Sequence, residues 1–465
     1  MSLLLIDRAR VLVTMDDARR EIEDGALLIR DNVIEVVGSS EEVHRGLQTE
    51  PDRRIDASDC VILPGLVNCH HHLFQTLTRS LATAEGKSLF DWLQTLYPIW
   101  AELDAEAVYL SAKLGLAELM LSGATTVADH LYLFPNDARL DDEIRAAREL
   151  GVRFHPTRGS MSLGQSQGGL PPDRVCETEA DILADCRRVI DEFHDPQPYS
   201  MLRIGLAPCS PFSVTAELMR QTAELARRHP RVRLHTHLAE TLDENRFCQD
   251  RFRQRPIPYV ENLGWTGDDV WFAHMVHPNE AEIDTLARSR SAVCHCPSSN
   301  MILASGIAPV REMRDAGVRV GIGVDGSASN DGNDLLGEAR QVMLLQRVGW
   351  PGFESRADRF SAREALELGT LGGAAALGRD DIGSLQAGMA ADLVAYRIDD
   401  LGHAGAGHDP VAALLTCAPA SAWLSVIDGN PVIEQGCIAN LDLAALAAQH
   451  NAAASRLIQK AAART

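Results

Sequence analysis

The stretch VREMRDAGVRVGIGVD, residues 310–325, contains a helix, a turn and a strand in immediate succession. VREMRDA is typical of a helix, and Gly317 supplies the stop that ends it. The apolar run that follows is too short for a second helix and indicates a buried strand. This strand ends on a carboxylate, Asp325. The stretch therefore predicts one helix–strand unit with a polar side chain at its end.

The same unit recurs from residue 60 to about residue 378. Eight short runs alternate with helical segments: VILPGLVN, ATTVADH, VRFHPT, MLRIGLAP, VRLHTH, DVWFAH, SAVCHC and VRVGIGVD. Such an alternation predicts an α/β protein with a parallel (β/α)8 TIM barrel, which we expect to be distorted. We assign residues 61–384 to this barrel.

The two chain ends have a different pattern, with hairpins in place of helix–strand units. Turns are predicted at residues 31–32 in GALLIRDNVIEVVG and at Gly429 and Asn430 in WLSVIDGNPVIEQG. Residues 1–60 and 385–440 together predict one small β-sandwich domain. The remaining residues, 441–465, predict an amphipathic C-terminal helix.

Composition excludes several classes of function. A formal net charge of −21 disfavours binding to nucleic acid or to an anionic membrane. No apolar stretch approaches the roughly 20 residues of a membrane span, and the N-terminus does not resemble a signal peptide. The ten cysteines lack the spacing of a disulfide framework. We therefore predict a cytoplasmic protein with reduced thiols.

Metal-binding side chains stand at the ends of four predicted strands. In a parallel barrel these ends meet at one rim, where the active site lies. Residues two apart on a strand share a face, so the first and fifth strands each present a pair of histidines, with His71 pointing away. The set is His70, His72, His235, His237, His274 and Asp325.

Imidazole and carboxylate ligands predict a catalytic zinc site with an open position for water. Competing motifs are weak. The chain contains no HExxH, and Pro208-Cys209-Ser210 does not extend to PCxxC. A structural zinc half-site at residues 294–296 has no matching partner motif elsewhere in the sequence.

Several stretches together resemble the amidohydrolase superfamily, in particular its aminohydrolase branch: PGLVNCHHH, HTHLAE, WFAHMVH, CPSSNMILASG and GVDGSASN. That branch includes guanine, adenosylhomocysteine and cytosine-type deaminases and the triazine hydrolases. The resemblance spans residues 1 to about 440. It implies metal ligands at His70, His72, His237 and Asp325, and catalytic roles for Glu240, His274 and Asp325.

One departure from the superfamily bears on the number of metal ions. Binuclear members bridge two metals with a carboxylated lysine at the end of strand 4. MLRIGLAPCSPF contains no lysine, so we predict one Zn²⁺, with Fe²⁺ as the alternative metal. Related enzymes are commonly homo-oligomers, and the resemblance implies the same here.

The implied activity is that of a hydrolase acting on the C–N bonds of cyclic amidines. We expect Asp325 to accept the proton of the attacking water and His274 to hold that water's oxygen. Glu240, one helical turn from His237, is placed to protonate the adjacent ring nitrogen. The alternative for Glu240 is a carboxylate that only stabilises a helix start.

The substrate prediction depends on Gln75 and Cys209. The HxHxxQ arrangement is similar to that of guanine deaminases, where the glutamine contacts the base. Those enzymes carry an arginine in an APRFS-like stretch, whereas this chain has Cys209 in APCSPFS. An arginine would oppose the N7–H of 8-oxoguanine and a thiol would not. HHHLFQTLTR, ADHLYLFPN and LAPCSPFSV also resemble the 8-oxoguanine deaminases.

We therefore predict hydrolysis of 8-oxoguanine, a small purine-like heterocycle, to urate and ammonia. Trp92 and Trp100 follow strand 1, and we predict that either stacks on the base, with a core role as the alternative. Other functions remain open: a hydroxytriazine (alkylamino) aminohydrolase, an isoxanthopterin or guanine deaminase, or a binding homologue without turnover.

Overall fold

A computed structural model of the chain describes residues 2–349 and 354–464. Its strands belong to two sheets: β1 (Leu3–Val13), β2 (Glu21–Arg30), β3 (Val33–Ser39), β4 (Arg53–Asp56), β5 (Cys60–Pro64), β6 (Leu66–Asn68), β7 (Ala124–Leu131), β8 (Arg153–Ser160), β9 (Gly205–Pro208), β10 (Arg233–Leu238), β11 (Val270–His274), β12 (Ala292–His295), β13 (Arg319–Ile322), β14 (Leu393–Arg397), β15 (Ala422–Ile427), β16 (Asn430–Glu434) and β17 (Cys437–Ile438).

The α-helices of the described residues are α1 (Ser40–Gly46), α2 (Leu89–Trp100), α3 (Ala105–Ser122), α4 (Leu140–Leu150), α5 (Glu179–Phe193), α6 (Ala216–Ala226), α7 (Leu242–Phe252), α8 (Pro256–Asn262), α9 (Glu280–Ser289), α10 (Pro297–Ile302), α11 (Val310–Asp315), α12 (Leu335–Val348), α13 (Ala362–Glu367), α14 (Gly373–Ala376), α15 (Pro410–Thr416) and α16 (Leu443–Ala462). Short 3₁₀ turns and one π turn complete the regular structure: Leu73–Thr78, Gln165–Gln167, Asp173–Val175, Leu401–His403 and the π turn Leu368–Gly372.

Strands β6 to β13 form the predicted barrel. All neighbouring pairs in this sheet are parallel, and the strands follow one another in chain order. The first and last strands approach each other, where the Cys69 amide donates to Ile322 O (3.1 Å) and the Asp325 amide donates to His70 O (3.2 Å). The barrel is therefore nearly closed, and the fold predicted from the helix–strand repeat is confirmed.

The run predicted as the first barrel strand is divided between the two sheets. Its first half, β5, pairs with β1 and β14 in the sheet of the chain ends, and only β6 belongs to the barrel. Gly65 lies between them, packed so closely on Thr125 that a Cβ would come within 2.0 Å of its hydroxyl. The chain therefore passes directly from one sheet to the other, and the sequence-derived domain limits remain predictions.

Both chain ends contribute to one nine-stranded sheet, the predicted small sandwich. Its path runs β17-β16-β15-β14-β5-β1-β2-β3, with β4 beside β1, and its inward side chains form a common apolar core. The first hairpin turn lies at Asp31 and Asn32, as predicted. The second lies one residue earlier than predicted, at Asp428 and Gly429, because both adopt the positive φ that a tight two-residue turn requires.

The predicted C-terminal helix is α16, which packs on α3 and α2 through buried side chains such as Leu446 and Leu457. All ten cysteines are unpaired, as their spacing predicts. Within the described ranges, no helix has both the length and the apolar character that a membrane span requires.

Candidate active site

Four of the six residues singled out at the strand ends line a single cavity of about 390 Å³ at the C-terminal rim of the barrel, whereas His70 and His235 are buried outside its lining. His72 follows β6, His237 lies in β10, His274 ends β11 and Asp325 follows β13. Glu240 lies just beyond β10 and also lines the cavity. All five side chains are buried, so the cavity can exclude bulk water from charged groups.

Backbone carbonyl groups fix the protonation of two of the histidines. His72 Nδ1 donates to His130 O (2.7 Å), and His237 Nδ1 donates to Cys209 O (2.7 Å). Each ring therefore presents an unprotonated Nε2, and these two Nε2 atoms lie only 3.0 Å apart. Burial, followed by the neighbouring His72, lowers the pKa of His237 to about 3, which keeps that ring neutral.

The third histidine, His70, is held through another histidine. His235 Nδ1 donates to Trp271 O (2.9 Å), so its Nε2 must accept the hydrogen bond from His70 Nδ1 (2.8 Å). His70 Nε2 is consequently an acceptor, and it is buried without a hydrogen-bond partner in the described residues. His235 thus orients His70 through a hydrogen bond to the ring nitrogen that does not face the metal site, as partners of metal-binding histidines commonly do.

Asp325 completes this group of acceptors. Its Oδ1 lies 3.3 Å from His70 Nε2 and 3.4 Å from His72 Nε2. Burial opposes ionisation of Asp325, but the surrounding histidines hold its pKa well below the usual range. Three lone pairs and one carboxylate directed at the same point repel one another unless a cation lies between them. The geometry groups His70, His72 and His237 with His130, and groups Asp325 with His70 and His274, so donors from both groups could hold a divalent metal.

Glu240 and His274 lie on the open side of this group. His274 Nε2 is 3.6 Å from Glu240 Oε2 and 3.8 Å from Asp325 Oδ2. Burial lowers the pKa of His274, but the two carboxylates outweigh it and the net shift is upward. Burial raises the pKa of Glu240, which favours a carboxyl group that can donate a proton. This arrangement can perform acid–base chemistry.

Two supporting residues have roles that the sequence analysis did not assign. Asn300, on α10, accepts a hydrogen bond from His274 Nδ1 (3.0 Å) and so fixes that ring. Glu244, on α7, accepts from the backbone amides of Ala239 (3.0 Å) and Glu240 (2.8 Å). The sequence signal for Glu244 is an acidic residue in the first turn of the helix that follows HTHLAE, whereas nothing in the sequence pairs Asn300 with His274.

The strand ends are also conformationally strained. Ala239, His274, Met275 and Asp325 all have positive φ, between 50° and 70°. Such conformations cost on the order of 1–3 kcal/mol each in non-glycine residues and cluster at functional sites. Here they turn the chain sharply at the rim, so that Glu240, His274 and Asp325 point into the same cavity.

Three of the predicted substrate-binding residues, Gln75, Cys209 and Trp92, line the same cavity. Gln75 Nε2 donates to Tyr132 OH (3.4 Å), and its buried Oε1 has no partner in the described part of the chain. Gly326 is essential for this placement, because a Cβ there would lie 2.0 Å from Gln75 Oε1. Tyr132 is a cavity residue that the sequence analysis missed.

Trp100, the fourth predicted substrate-binding residue, is not one of the described residues that line the cavity. It is fully buried behind the wall, with its ring edge-on to Phe74 at 5.2 Å and to Trp92 at 5.5 Å. Its indole Nε1 donates to Thr78 Oγ1 (3.1 Å). The structure therefore places Trp100 in the core, which was the alternative to a stacking role, because α2 presents Trp92 to the cavity instead.

Comparison with known families places this site in context. The model of the amidohydrolase family matches residues 61–419, most of the chain. The chain belongs to the amidohydrolase family. Membership confirms the predicted hydrolase acting on C–N bonds, and the histidine cluster is the metal-binding site of this amidohydrolase.

Similar proteins include two curated enzymes and a solved structure. An 8-oxoguanine deaminase from Pseudomonas aeruginosa is 48% identical over 93% of this chain and 95% of its own. A hydroxydechloroatrazine ethylaminohydrolase from Pseudomonas sp. (strain ADP) is 36% identical over 93% and 91%. An atrazine chlorohydrolase from Arthrobacter aurescens TC1, complexed with zinc, has a TM-score of 0.91 and 35% identity over 97% and 100%.

The contact between His70 and His235 leads to a first prediction. Replacing His235 with phenylalanine removes the acceptor that holds His70 Nδ1, so we expect zinc affinity to fall by about 10–100-fold. His235→Gln supplies a side-chain oxygen that can accept the same hydrogen bond and should restore most of the affinity. Competition with a chromophoric chelator measures both values. Equal affinity in the phenylalanine and glutamine variants would contradict a role in orientation.

Proposed function

We propose that this amidohydrolase binds one zinc ion through His70, His72, His237 and Asp325 and hydrolyses 8-oxoguanine to urate and ammonia. Fe²⁺ would suit the same ligands. The observation that supports the substrate assignment is the neutral thiol of Cys209, which lines the same cavity as Gln75 and the acid–base groups. Burial raises the pKa of Cys209 to about 12, so this position carries no charge at neutral pH.

A single ion is supported by the positions of the lysines. The sequence contains three, Lys87, Lys113 and Lys460, and none of them lines the cavity. Each is engaged elsewhere, with Thr95, Glu149 and Asp104 respectively. The chain therefore offers no lysine that could be carboxylated to bridge a second metal.

The protein's own residues can carry the proton transfers. A zinc ion held by the four proposed ligands would lower the pKa of water to about 7 and so supply a nucleophile at neutral pH. Asp325 accepts the proton of the attacking water, while His274, fixed by Asn300, donates a hydrogen bond to its oxygen. Glu240, whose pKa is raised by burial, protonates the adjacent ring nitrogen. Asp325 then returns a proton to the departing amine. As ammonia leaves, the hydroxyl group on the ring carbon passes its proton to Glu240 and becomes the ring carbonyl.

The cavity walls suit a flat heterocycle with a mixed polar edge. Leu89, Trp92, Leu93, Phe212 and Leu303 supply apolar surface, and Trp92 is held by a hydrogen bond from its Nε1 to Ala328 O (3.3 Å). Gln75 offers an unpaired carbonyl oxygen to a donor on the ring. A thiol tolerates the N7–H of 8-oxoguanine, whereas a cationic donor at the same position would oppose it.

Release of ammonia from a panel of substrates tests the assignment. The zinc-loaded enzyme is assayed with 8-oxoguanine, guanine, isoxanthopterin and a hydroxytriazine, with alkylamine release followed for the last. We expect kcat/KM to be highest for 8-oxoguanine and the product to be urate. A higher kcat/KM for any other member of the panel would replace 8-oxoguanine as the substrate, and no turnover at all would favour a binding homologue.

The thiol leads to a second prediction. Cys209→Arg places a hydrogen-bond donor opposite N7 of the substrate. In 8-oxoguanine N7 carries a hydrogen and is itself a donor, whereas in guanine N7 is an acceptor. We expect the ratio of kcat/KM for 8-oxoguanine over guanine to fall by about tenfold or more, the effect of leaving a buried donor unpaired. Cys209→Met controls for bulk and should weaken both substrates without reversing the preference. An unchanged ratio in the arginine variant would remove Cys209 as the selecting residue.

We also propose that the enzyme is a homo-oligomer, in keeping with the resemblance to its family. Light scattering coupled to size exclusion would support this with a mass that is a multiple of the 50.6 kDa chain. A mass equal to one chain across the working concentration range would contradict it.

A further inference from the structure

A second cavity, open to solvent and about 1390 Å³ in volume, lies at the opposite end of the barrel from the active site. It is formed where β10 and β13 begin, whereas the metal-binding residues lie where these strands end. We call it the arginine groove, defined by Arg231, Arg233, Arg290 and Arg319. None of these four guanidinium groups has a carboxylate oxygen within 4.0 Å among the residues that the structure describes.

Arg233 is the most unusual member of the arginine groove. Its side chain is buried, yet its guanidinium makes one hydrogen bond, from Nη2 to Ala376 O (3.0 Å). Its Nε is buried and has no partner in the described ranges. The guanidinium packs against Gly378, where a Cβ would lie 2.2 Å from Nη1. A buried charge is normally paired, because removing an unpaired charge from water is energetically unfavourable.

The guanidinium of Arg319 also lacks a carboxylate partner among the described residues. Its Nη2 donates to two neutral carbonyl groups, those of Arg290 and Asp268, and its buried Nε has no partner within residues 2–349 and 354–464. Burial and then the nearby Arg319 lower the pKa of Arg233 to about 10, against the opposing effect of Asp269 and Asp268. Burial and then the nearby Arg290 also lower the pKa of Arg319. The arginines of the groove therefore repel one another at close range.

The acidic residues of the groove offset only part of this charge: Asp268 acts on both Arg233 and Arg319, and Asp269 acts on Arg233. Six arginines and three aspartates line it, so the groove is positive in a protein whose net charge is −21. Of the aspartates, Asp269 is engaged by Arg227 (2.8 Å), while Asp268 and Asp380 lie exposed at the rim. A concentration of unpaired positive charge against an acidic background focuses the electrostatic field on an anion.

We propose that the arginine groove binds a small oxyanion of the phosphate class, either free phosphate or the phosphate group of a monoester. Guanidinium groups from separate elements, one buried and the others at the rim, match the several oxygens of a doubly charged tetrahedral anion. A monocarboxylate carries too little charge to satisfy them. The site lies outside the catalytic cavity and does not depend on which heterocycle the enzyme hydrolyses.

Isothermal titration calorimetry on the zinc-loaded protein tests this proposal. Inorganic phosphate and adenosine monophosphate are titrated separately at constant ionic strength, with acetate as the comparison anion. We expect saturable binding of phosphate and no binding of acetate. Tighter binding of the nucleotide than of phosphate would identify a monoester as the ligand, and equal binding would identify free phosphate.

A double variant locates the site. Arg290→Gln with Arg319→Gln removes two charges without touching the buried Arg233, and we expect phosphate affinity to fall by at least about tenfold. The matched control, Arg45→Gln with Arg456→Gln, removes two exposed arginines outside the groove and should bind as the wild type does. Zinc content and turnover should be unchanged in all variants.

Three results would overturn the proposal: no saturable binding of either phosphate ligand, equal binding of acetate, or undiminished affinity in the Arg290/Arg319 variant. The last result, with phosphate bound, would place the anion at the metal site instead. Because turnover is measured on the same samples, failure of the groove to bind phosphate remains distinct from failure of the deaminase assignment.

Discussion

A His237→Ala variant is expected to lose most of its zinc and to retain less than about one-thousandth of wild-type turnover. The substitution removes one of three converging imidazole lone pairs, whereas the Cys209 carbonyl keeps its hydrogen bonds from Thr236 Oγ1 and the residue 237 amide. Two imidazoles and one carboxylate would remain, one ligand fewer than the proposed set of four, and we expect this smaller set to hold zinc much more weakly. Elemental analysis and ammonia release measure the two losses on the same sample, and circular dichroism verifies the fold.

The matched control is His408→Ala, which removes an exposed histidine far along the chain from the site. It should keep full zinc content and full turnover. If His237→Ala also kept both, the four proposed ligands would not share an ion, and the assignment of the site would have to be abandoned.

A Glu240→Gln variant is expected to behave differently, keeping its zinc while kcat falls by about 10²–10⁴-fold. An amide has nearly the same shape as the carboxyl group but cannot transfer a proton to the ring nitrogen. It can still accept the contact from Ser305 Oγ (3.5 Å), so the local structure should persist. Steady-state kinetics with zinc analysis separates loss of chemistry from loss of metal.

Glu244→Gln is the comparison for this variant, because Glu244 is an equally buried carboxyl group that binds backbone amides and does not line the described cavity. Its effect on kcat should be much smaller than that of Glu240→Gln. Equal losses in the two variants would indicate that Glu240 acts through the loop conformation and not through proton transfer.

The barrel could be predicted because its signal is local. Each strand is a short apolar run bounded by a helix and a glycine or proline, and the sequence repeats this unit along most of the chain. The division at Gly65 could not be predicted in the same way. Both halves of VILPGLVN are buried, so their composition contains no indication that they belong to different sheets.

For the site, too, local features could be predicted from the sequence and contacts between distant residues could not. The period of two along a strand was enough to place His70 with His72 and His235 with His237 on common faces. Carbonyl groups of neighbouring strands, such as those of Cys209 and Trp271, decide how each ring is oriented. They therefore decide which ring is free to bind a metal and which ring holds another histidine in place. Those contacts exist only in the folded barrel, and the contact of His274 with Asn300 is of the same kind.

The direct passage of the chain through Gly65 has a consequence for how the molecule denatures. Because β5 and β6 share a backbone without an intervening linker, melting of the terminal sheet would release the first barrel strand and the ligands that follow it. We therefore expect a calorimeter to record one endotherm instead of two, shifted upward by added zinc.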